Sequence, residues 1–136
     1  MSNSTFDPSL LVVDDDAATV DFAIIAGVDW NDSIQVLVSE LSVGGVATET
    51  PMDFTGVRLQ LKIRPKDDWP ETIAVIDSVL NDIRILDVGN GVIQIYKSYV
   101  DTADWPAGLW RQTMIAIKDG EVSALWKGDI RIDPVA

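Results

Sequence analysis

The clearest hydrophobic pattern in the chain lies between Gly56 and Pro65. Apolar and polar residues alternate there: Val57, Leu59, Leu61 and Ile63 with Arg58, Gln60, Lys62 and Arg64. Successive side chains of a strand point to opposite faces of a sheet, so this segment predicts a β-strand with one buried and one solvent-facing side. Pro65 ends the strand, because proline lacks a backbone donor and restricts the residue before it.

Other segments with alternating or β-branched patterns predict further strands. They are 20–27, 34–38, 72–76, 83–86, 92–96, 109–118 and 121–133. A turn is expected around residues 29–32. Asp119-Gly120 predicts a tight hairpin, since a type I′ turn needs positive φ at both positions. Gly128 is expected to mark a bulge where the last strand changes phase.

These elements predict an all-β fold, an antiparallel β-sandwich of about seven to eight strands. Residues 98–104 break the β pattern and predict a short helical turn that crosses between the sheets. We expect one sandwich domain over 19–136, preceded by a polar N-terminal arm over 1–18. An apolar island in the arm, Leu10-Leu11-Val12-Val13, would either add a short strand or dock on a neighbouring chain.

Charge and segment composition narrow the range of partners. Ten basic and 22 acidic residues give a net charge of −12, which would repel a phosphate backbone and an anionic membrane surface. We therefore expect neither nucleic acid nor membrane as a partner. No apolar run approaches the roughly 20 residues that span a bilayer, and the first residues lack the features of an export signal. The protein is expected to be made and folded in the cytoplasm.

The chemistry available to the chain is limited, because it contains neither cysteine nor histidine. Thiol catalysis, Ser-His-Asp triads and histidine-based zinc sites are thereby excluded. Acidic groups at Asp14-Asp15-Asp16, at Asp67-Asp68 and at Asp101 with Asp104 lack the spacing of a calcium loop, and solvated turn acids explain them better. No catalytic residue, metal ligand or cofactor site is assigned, and we expect a protein that is not an enzyme.

Two sets of residues are candidates for an interaction surface. Trp30, Trp69 and Trp105 fall in predicted turns or loops, where tryptophan either contacts protein or stacks on sugar rings. Trp110 and Trp126 fall on predicted strands and are expected to pack in the core. The second set, Arg58, Lys62 and Arg64, forms a basic stripe along one strand. It could bind a phosphate or an acidic patch of a second subunit, but pairing with the chain's own acids explains it better.

The order of several motifs resembles a family of small phage or prophage tail or baseplate-associated proteins that share an immunoglobulin-like β-sandwich. The matching stretches cover about residues 20–134. They are Phe22-Ala23-Ile24-Ile25-Ala26-Gly27, Asp53-Phe54-Thr55-Gly56, Leu61-Lys62-Ile63-Arg64, Gly91-Val92-Ile93-Gln94-Ile95, Pro106-Ala107-Gly108-Leu109-Trp110, Asp119-Gly120 and Trp126-Lys127-Gly128-Asp129-Ile130. Two features depart from the family: the arm is longer, and Trp110 stands where tyrosine is more usual.

The resemblance implies a non-enzymatic virion structural or assembly protein that acts as an interaction module of the tail or baseplate. Its partners would be other tail or baseplate proteins and further copies of itself. It would occupy the bacterial cytoplasm during assembly and then the tail of the virion. The alternative function is a sandwich module that binds carbohydrate or a host surface through Trp30, Trp69 or Trp105.

Overall fold

A computed structural model describes residues 9–13, 18–41, 44–45, 47–66 and 71–134 of the chain. Two sheets, of five and six strands, form a β-sandwich, so the predicted fold class is confirmed. The described residues form eleven strands rather than the predicted seven to eight. The strands are β1 (Ser9–Val13), β2 (Ala18–Thr19), β3 (Phe22–Ile25), β4 (Trp30–Leu41), β5 (Ala47–Pro51), β6 (Arg58–Arg64), β7 (Ala74–Asp77), β8 (Ile83–Asp87), β9 (Val92–Lys97), β10 (Gly108–Lys118) and β11 (Glu121–Asp133). Helix α1 (Tyr99–Thr102) lies within the predicted helical turn, and a 3-10 turn spans Ser78–Leu80.

Strand β4 organises the five-stranded sheet. On one side it pairs in parallel with β1, so the apolar island of the N-terminal segment forms a strand here. On the other side it pairs antiparallel with β9 through its first half and with β5 through its second half. Strand β8 adds to β9 and forms the far edge.

The six-stranded sheet is built around the hairpin of β10 and β11. Strand β10 pairs antiparallel with both β11 and β6, and β7 follows β6 at one edge. Strands β2 and β3 follow one another along the outer side of β11, and both run parallel to it. The predicted antiparallel strands are therefore extended by three short parallel pairings that the alternation pattern did not indicate.

Alternation along the strands places the core between the two sheets. Leu59, Leu61 and Ile63 of β6 are fully buried, as the pattern predicts, and they face apolar residues of the other sheet. The fully buried large side chains are Trp126, Phe54, Leu59, Leu61, Ile63, Ile76, Ile83, Ile93, Ile95, Met114, Ile130 and Ile132. Burial of side chains of this size stabilises the fold by about 1.5–3 kcal/mol each, before the entropic cost of ordering them.

The bulge in the last strand lies at a different residue from the predicted one. The register of β11 against β10 shifts at Leu125, which has no partner between Trp126 and Ala124, while Gly128 pairs regularly with Gln112. Glycine is needed at 128 for another reason. A Cβ built there would lie 1.7 Å from the carbonyl oxygen of Val20, because the chain between β2 and β3 crosses directly over this position.

A buried glutamine completes this crossing. Gln112 is fully buried, and its Nε2 donates to the Val20 carbonyl oxygen at 2.5 Å. Its Oε1 accepts a hydrogen bond of 2.8 Å from Nε1 of the fully buried Trp126. The side chain thus supplies an acceptor for the buried indole donor of Trp126 and a donor for the partly buried carbonyl of Val20. A buried polar group without a partner is costly in a protein interior.

Replacement of Gly128 by alanine should destabilise the fold by about 3 kcal/mol or more, because the new Cβ forces the 20–21 segment off the sheet. Gly89→Ala is the matched control, since nothing lies within 4 Å of a Cβ at that position. Urea denaturation followed by tryptophan fluorescence measures both variants. Equal midpoints for the two variants would contradict the proposed contact.

Replacement of Gln112 by methionine keeps the volume but removes both hydrogen bonds. We expect a loss of about 2–4 kcal/mol, since Trp126 Nε1 is left buried and unsatisfied and the partly buried Val20 carbonyl loses its donor. Gln94→Met is the control: Gln94 lies on the outer face of the five-stranded sheet and donates to Asn31 at 2.9 Å in an exposed setting. Thermal unfolding monitored by circular dichroism should separate the two variants. A Gln112→Met protein as stable as Gln94→Met would show that the network contributes little.

Candidate interaction surfaces

The three tryptophans expected in loops have different positions. The predicted position of Trp30 is wrong: it begins β4 rather than lying in a turn, and it is 3% exposed. Trp105 does lie in the segment between α1 and β10, where it is half-buried against the core. Trp69 lies outside the described residues. Trp126 is buried and Trp110 packs against the core, as expected for both.

Aromatic rings connect the surface at Trp105 with the centre of the core. The rings of Trp105 and Trp30 meet edge to face, with centroids 6.0 Å apart, and Trp30 meets Phe22 in the same way at 5.3 Å. Phe22 in turn contacts Trp126 at 6.3 Å. Edge-to-face pairs add to the stabilisation that burial provides. A substitution at Trp105 is therefore expected to alter the packing of Trp30 and, through it, of the core.

Helix α1 is held to the turn before β4 by one buried threonine. Thr102 is fully buried, and its Oγ1 donates to the carbonyl oxygen of Val28 at 3.0 Å and accepts from the backbone nitrogen of Gly27 at 3.1 Å. Asp29 adds a third contact, accepting a hydrogen bond of 2.6 Å from the backbone nitrogen of Tyr99. The turn, α1 and Trp105 thereby form one end of the sandwich, here called the α1 end.

The α1 end combines acidic and apolar surface. Its exposed carboxylates are Asp29, Asp32, Asp101 and Asp104. Val28, Tyr99 and Val100 are also exposed, by 48%, 59% and 60% respectively. An open cleft of about 400 Å³ lies beside them, lined by Ala26, Gly27, Ala103, Trp105, Ala107 and Pro134. Exposed apolar residues that cluster at a rim of charges are typical of protein contact sites.

The predicted basic stripe belongs to a wider basic face on the six-stranded sheet. The outward side chains of β6, β10 and β11 include six of the ten basic residues of the chain: Arg58, Lys62, Arg64, Arg111, Lys127 and Arg131. Strand register aligns them in rows. Lys62 lies opposite Thr113 and, one strand further, Lys127, while Arg64 lies opposite Arg111. We call this surface the basic face.

Arg58, at one end of this face, is neutralised within the chain. Its guanidinium donates to both carboxylate oxygens of Asp77, from Nε at 3.1 Å and from Nη2 at 2.5 Å. Gln60 and the backbone nitrogen of Val79 also donate to Asp77, which is 3% exposed. The hydrogen bond from Arg58, despite the opposing effect of burial, lowers the pKa of Asp77 from 3.8 to about 2. The same pair raises the pKa of Arg58.

The other cations of the basic face divide into two groups. Arg111 pairs with Asp129 at 2.7 Å, and Arg131 pairs with Asp133 at 3.3 Å. Within the described part of the chain, Lys62, Arg64 and Lys127 have no ion-pair partner. The Nε atom of Arg64 is moreover buried without a hydrogen-bond acceptor. Of the predicted stripe, Arg58 is explained by pairing within the chain, whereas Lys62 and Arg64 are not.

Arg111, Lys127 and Arg131 belong to this face but were not among the sequence candidates. In the last strand, Ile130 and Ile132 alternate with Asp129 and Arg131. If this alternation is continued back through Gly128, Lys127 lies on the outer side. The sequence did not place Lys127 there, because the change of phase was expected at Gly128 and lies at Leu125. Arg111 could have been found from the alternation of β10 with buried Gln112.

The described residues offer two candidate interaction surfaces. Among them, no three carboxylates converge in a group that could hold a metal ion. The helical segments in the described ranges are too short and too polar to cross a membrane. The two surfaces are a sheet face with cations that have no ion-pair partner among the described residues, and an acidic end with exposed apolar residues.

Comparison with known proteins shows a similarity of fold without a detectable similarity of sequence. No protein-family model matches the sequence, and no curated protein is similar to it in sequence. Among solved structures, the N-terminal domain of phage TP901-1 ORF48 is similar, with a TM-score of 0.55 and 10% sequence identity. The similarity covers 93% of this chain and 98% of that domain. At this level of identity it shows a shared fold.

Replacement of Asp77 by asparagine should lower the free energy of unfolding at neutral pH by about 2 kcal/mol. The folded-state pKa of Asp77 lies below its ordinary value, so the stabilisation is present above about pH 4 and is lost as pH falls towards 2. Urea denaturation of both proteins between pH 7 and pH 2 measures this, and the two curves should converge in acid. Asp104→Asn, at an exposed carboxylate, is the control and should follow the wild type. A constant difference down to pH 2 would contradict the role of ionised Asp77.

Proposed function

We propose that this chain is a non-enzymatic interaction module of a phage or prophage tail, acting in the baseplate or in virion assembly. The observation that carries the proposal is the fold shared with a domain of a phage protein over 93% of this chain and 98% of that domain. Fold likeness supports function only by analogy, because one fold can serve several functions. The surface supplies the second argument.

The surface of the described residues favours protein contacts. Small-molecule sites are concave and combine apolar walls with a few convergent polar groups. The cleft at the α1 end is open, and apart from the indole of Trp105 its lining residues carry no polar side chain. The basic face is the outer side of a β-sheet. Both features suit contact with another folded protein better than binding of a substrate.

Carbohydrate binding remains the alternative function, but no described contact favours it. Trp30 is buried, and Trp105 directs its ring against Trp30 in an edge-to-face pair. A sugar would find few hydrogen-bonding groups in the adjoining cleft. A saturable change in tryptophan fluorescence on titration with sugars, lost in Trp105→Ala, would favour this alternative over the tail role.

The tail role is tested in the phage or prophage that encodes the chain. Disruption of its gene should give particles with incomplete tails and low titre, and mass spectrometry should find the chain in purified wild-type particles. Complementation with Gly89→Ala should restore titre, whereas Gly128→Ala, which disturbs the fold, should not. Particles of normal tail structure and titre that lack the chain would overturn the proposal.

A further inference from the structure

The basic face lies on a chain of net charge −12, and three of its six cations have no acidic partner within the described residues. We propose that this face binds the acidic α1 end of a second copy of the same chain. The inference is independent of the tail role, because it concerns the purified protein alone and particle assembly does not enter its test.

The distribution of charge is the first argument. Lys62 and Lys127 lie in one row across β6, β10 and β11, with neutral Thr113 between them. Arg64 lies on the same face of β6 as Lys62, and it has no ion-pair partner among the described residues. A carboxylate of an arriving partner would form charge-assisted hydrogen bonds with the exposed donors of these cations. The face therefore has unbalanced positive charge.

The chain itself carries the complementary surface. Asp29, Asp32, Asp101 and Asp104 are exposed at the α1 end. Among the described residues, the base that pairs with one of these carboxylates is Lys97, whose amino group lies 3.7 Å from Asp101 and 3.1 Å from Asp82. Opposite potentials on two surfaces favour their encounter and fix their orientation.

Apolar residues on both surfaces favour a protein partner over a nucleic acid. Val28, Tyr99 and Val100 are exposed at the α1 end, and Val75 and Val122 are exposed by 38% and 61% on the sheet that carries the basic face. Contact would bury them between the ion pairs. A phosphate backbone offers charge but no comparable apolar surface, and the net charge of the chain repels it at long range.

The size of the face indicates a weak contact. Three strands about 4.8 Å apart and seven residues long give roughly 330 Å². Stable interfaces bury about 800 Å² on each partner, so association should be weak between two copies in dilute solution. Because each copy presents a different surface to each neighbour, the contact is head-to-tail and can repeat into a ring or a filament.

Sedimentation velocity of the purified full chain over a range of concentrations tests the inference. We expect association at low ionic strength that weakens as salt screens the charges. Lys62→Glu/Lys127→Glu should weaken association about tenfold or more. Arg84→Glu/Lys118→Glu is the matched control: it changes the net charge equally but lies away from the basic face, and it should associate more strongly than the face variant.

A mixing experiment identifies the partner surface. Asp101→Lys/Asp104→Lys alone should also associate weakly. An equimolar mixture of it with Lys62→Glu/Lys127→Glu should form heterodimers, because each variant keeps intact the surface that is altered in the other. Three results would overturn the proposal: a wild type that remains monomeric at all concentrations and salts, equal weakening by the face and control variants, or no recovery in the mixture. Binding of an oligonucleotide to the face without self-association would also overturn it.

Discussion

The closure of the sandwich depends on one backbone carbonyl group, that of Val20. It lies over Gly128, where any Cβ would collide with it, and it accepts a hydrogen bond from buried Gln112. This contact joins the N-terminal segment to the β10–β11 hairpin at the point where β2 ends and β3 is about to begin. The N-terminal segment pairs with β4 of one sheet and with β11 of the other, so this anchor ties the first strands to both layers.

The anchor also orders the aromatic residues that reach the surface. Phe22 follows Val20 by two residues, and the position of β3 places its ring between Trp126 and Trp30. Trp126 is itself held by Gln112, the side chain that holds the Val20 carbonyl. Trp30 then supports Trp105 at the α1 end. The shape of the α1 end is consequently set by contacts that begin in the centre of the core.

The sequence predicted the antiparallel strands β4 and β6 to β11 well, because each has a buried and a solvent-facing side that alternate along the chain. It did not predict the short strand β5. It did not predict β2, whose two residues are too few to show alternation, or the parallel pairing of β1 and β3, which depends on backbone edges rather than on side-chain pattern. Trp30 was misplaced because the acidic and amide residues beside it are typical of turns, although β4 begins there. The bulge was assigned to Gly128 because glycine is common at bulges, whereas the position needs glycine for the crossing of Val20.

The basic face shows how far alternation can predict a surface. The pattern correctly directs Arg58, Lys62 and Arg64 away from the core, but it cannot show which of them has an acidic partner. Asp77, which neutralises Arg58, lies 19 residues along the chain, and its position follows from the pairing of β7 with β6. Lys62 and Arg64 form part of a larger basic surface only in the folded sheet, where β10 and β11 place Arg111 and Lys127 beside them. A net charge of −12 is therefore a poor description of this surface. Among the described residues, the fold separates cations without ion-pair partners on one face from carboxylates at one end. Complementary contact between proteins requires such a separation of charge.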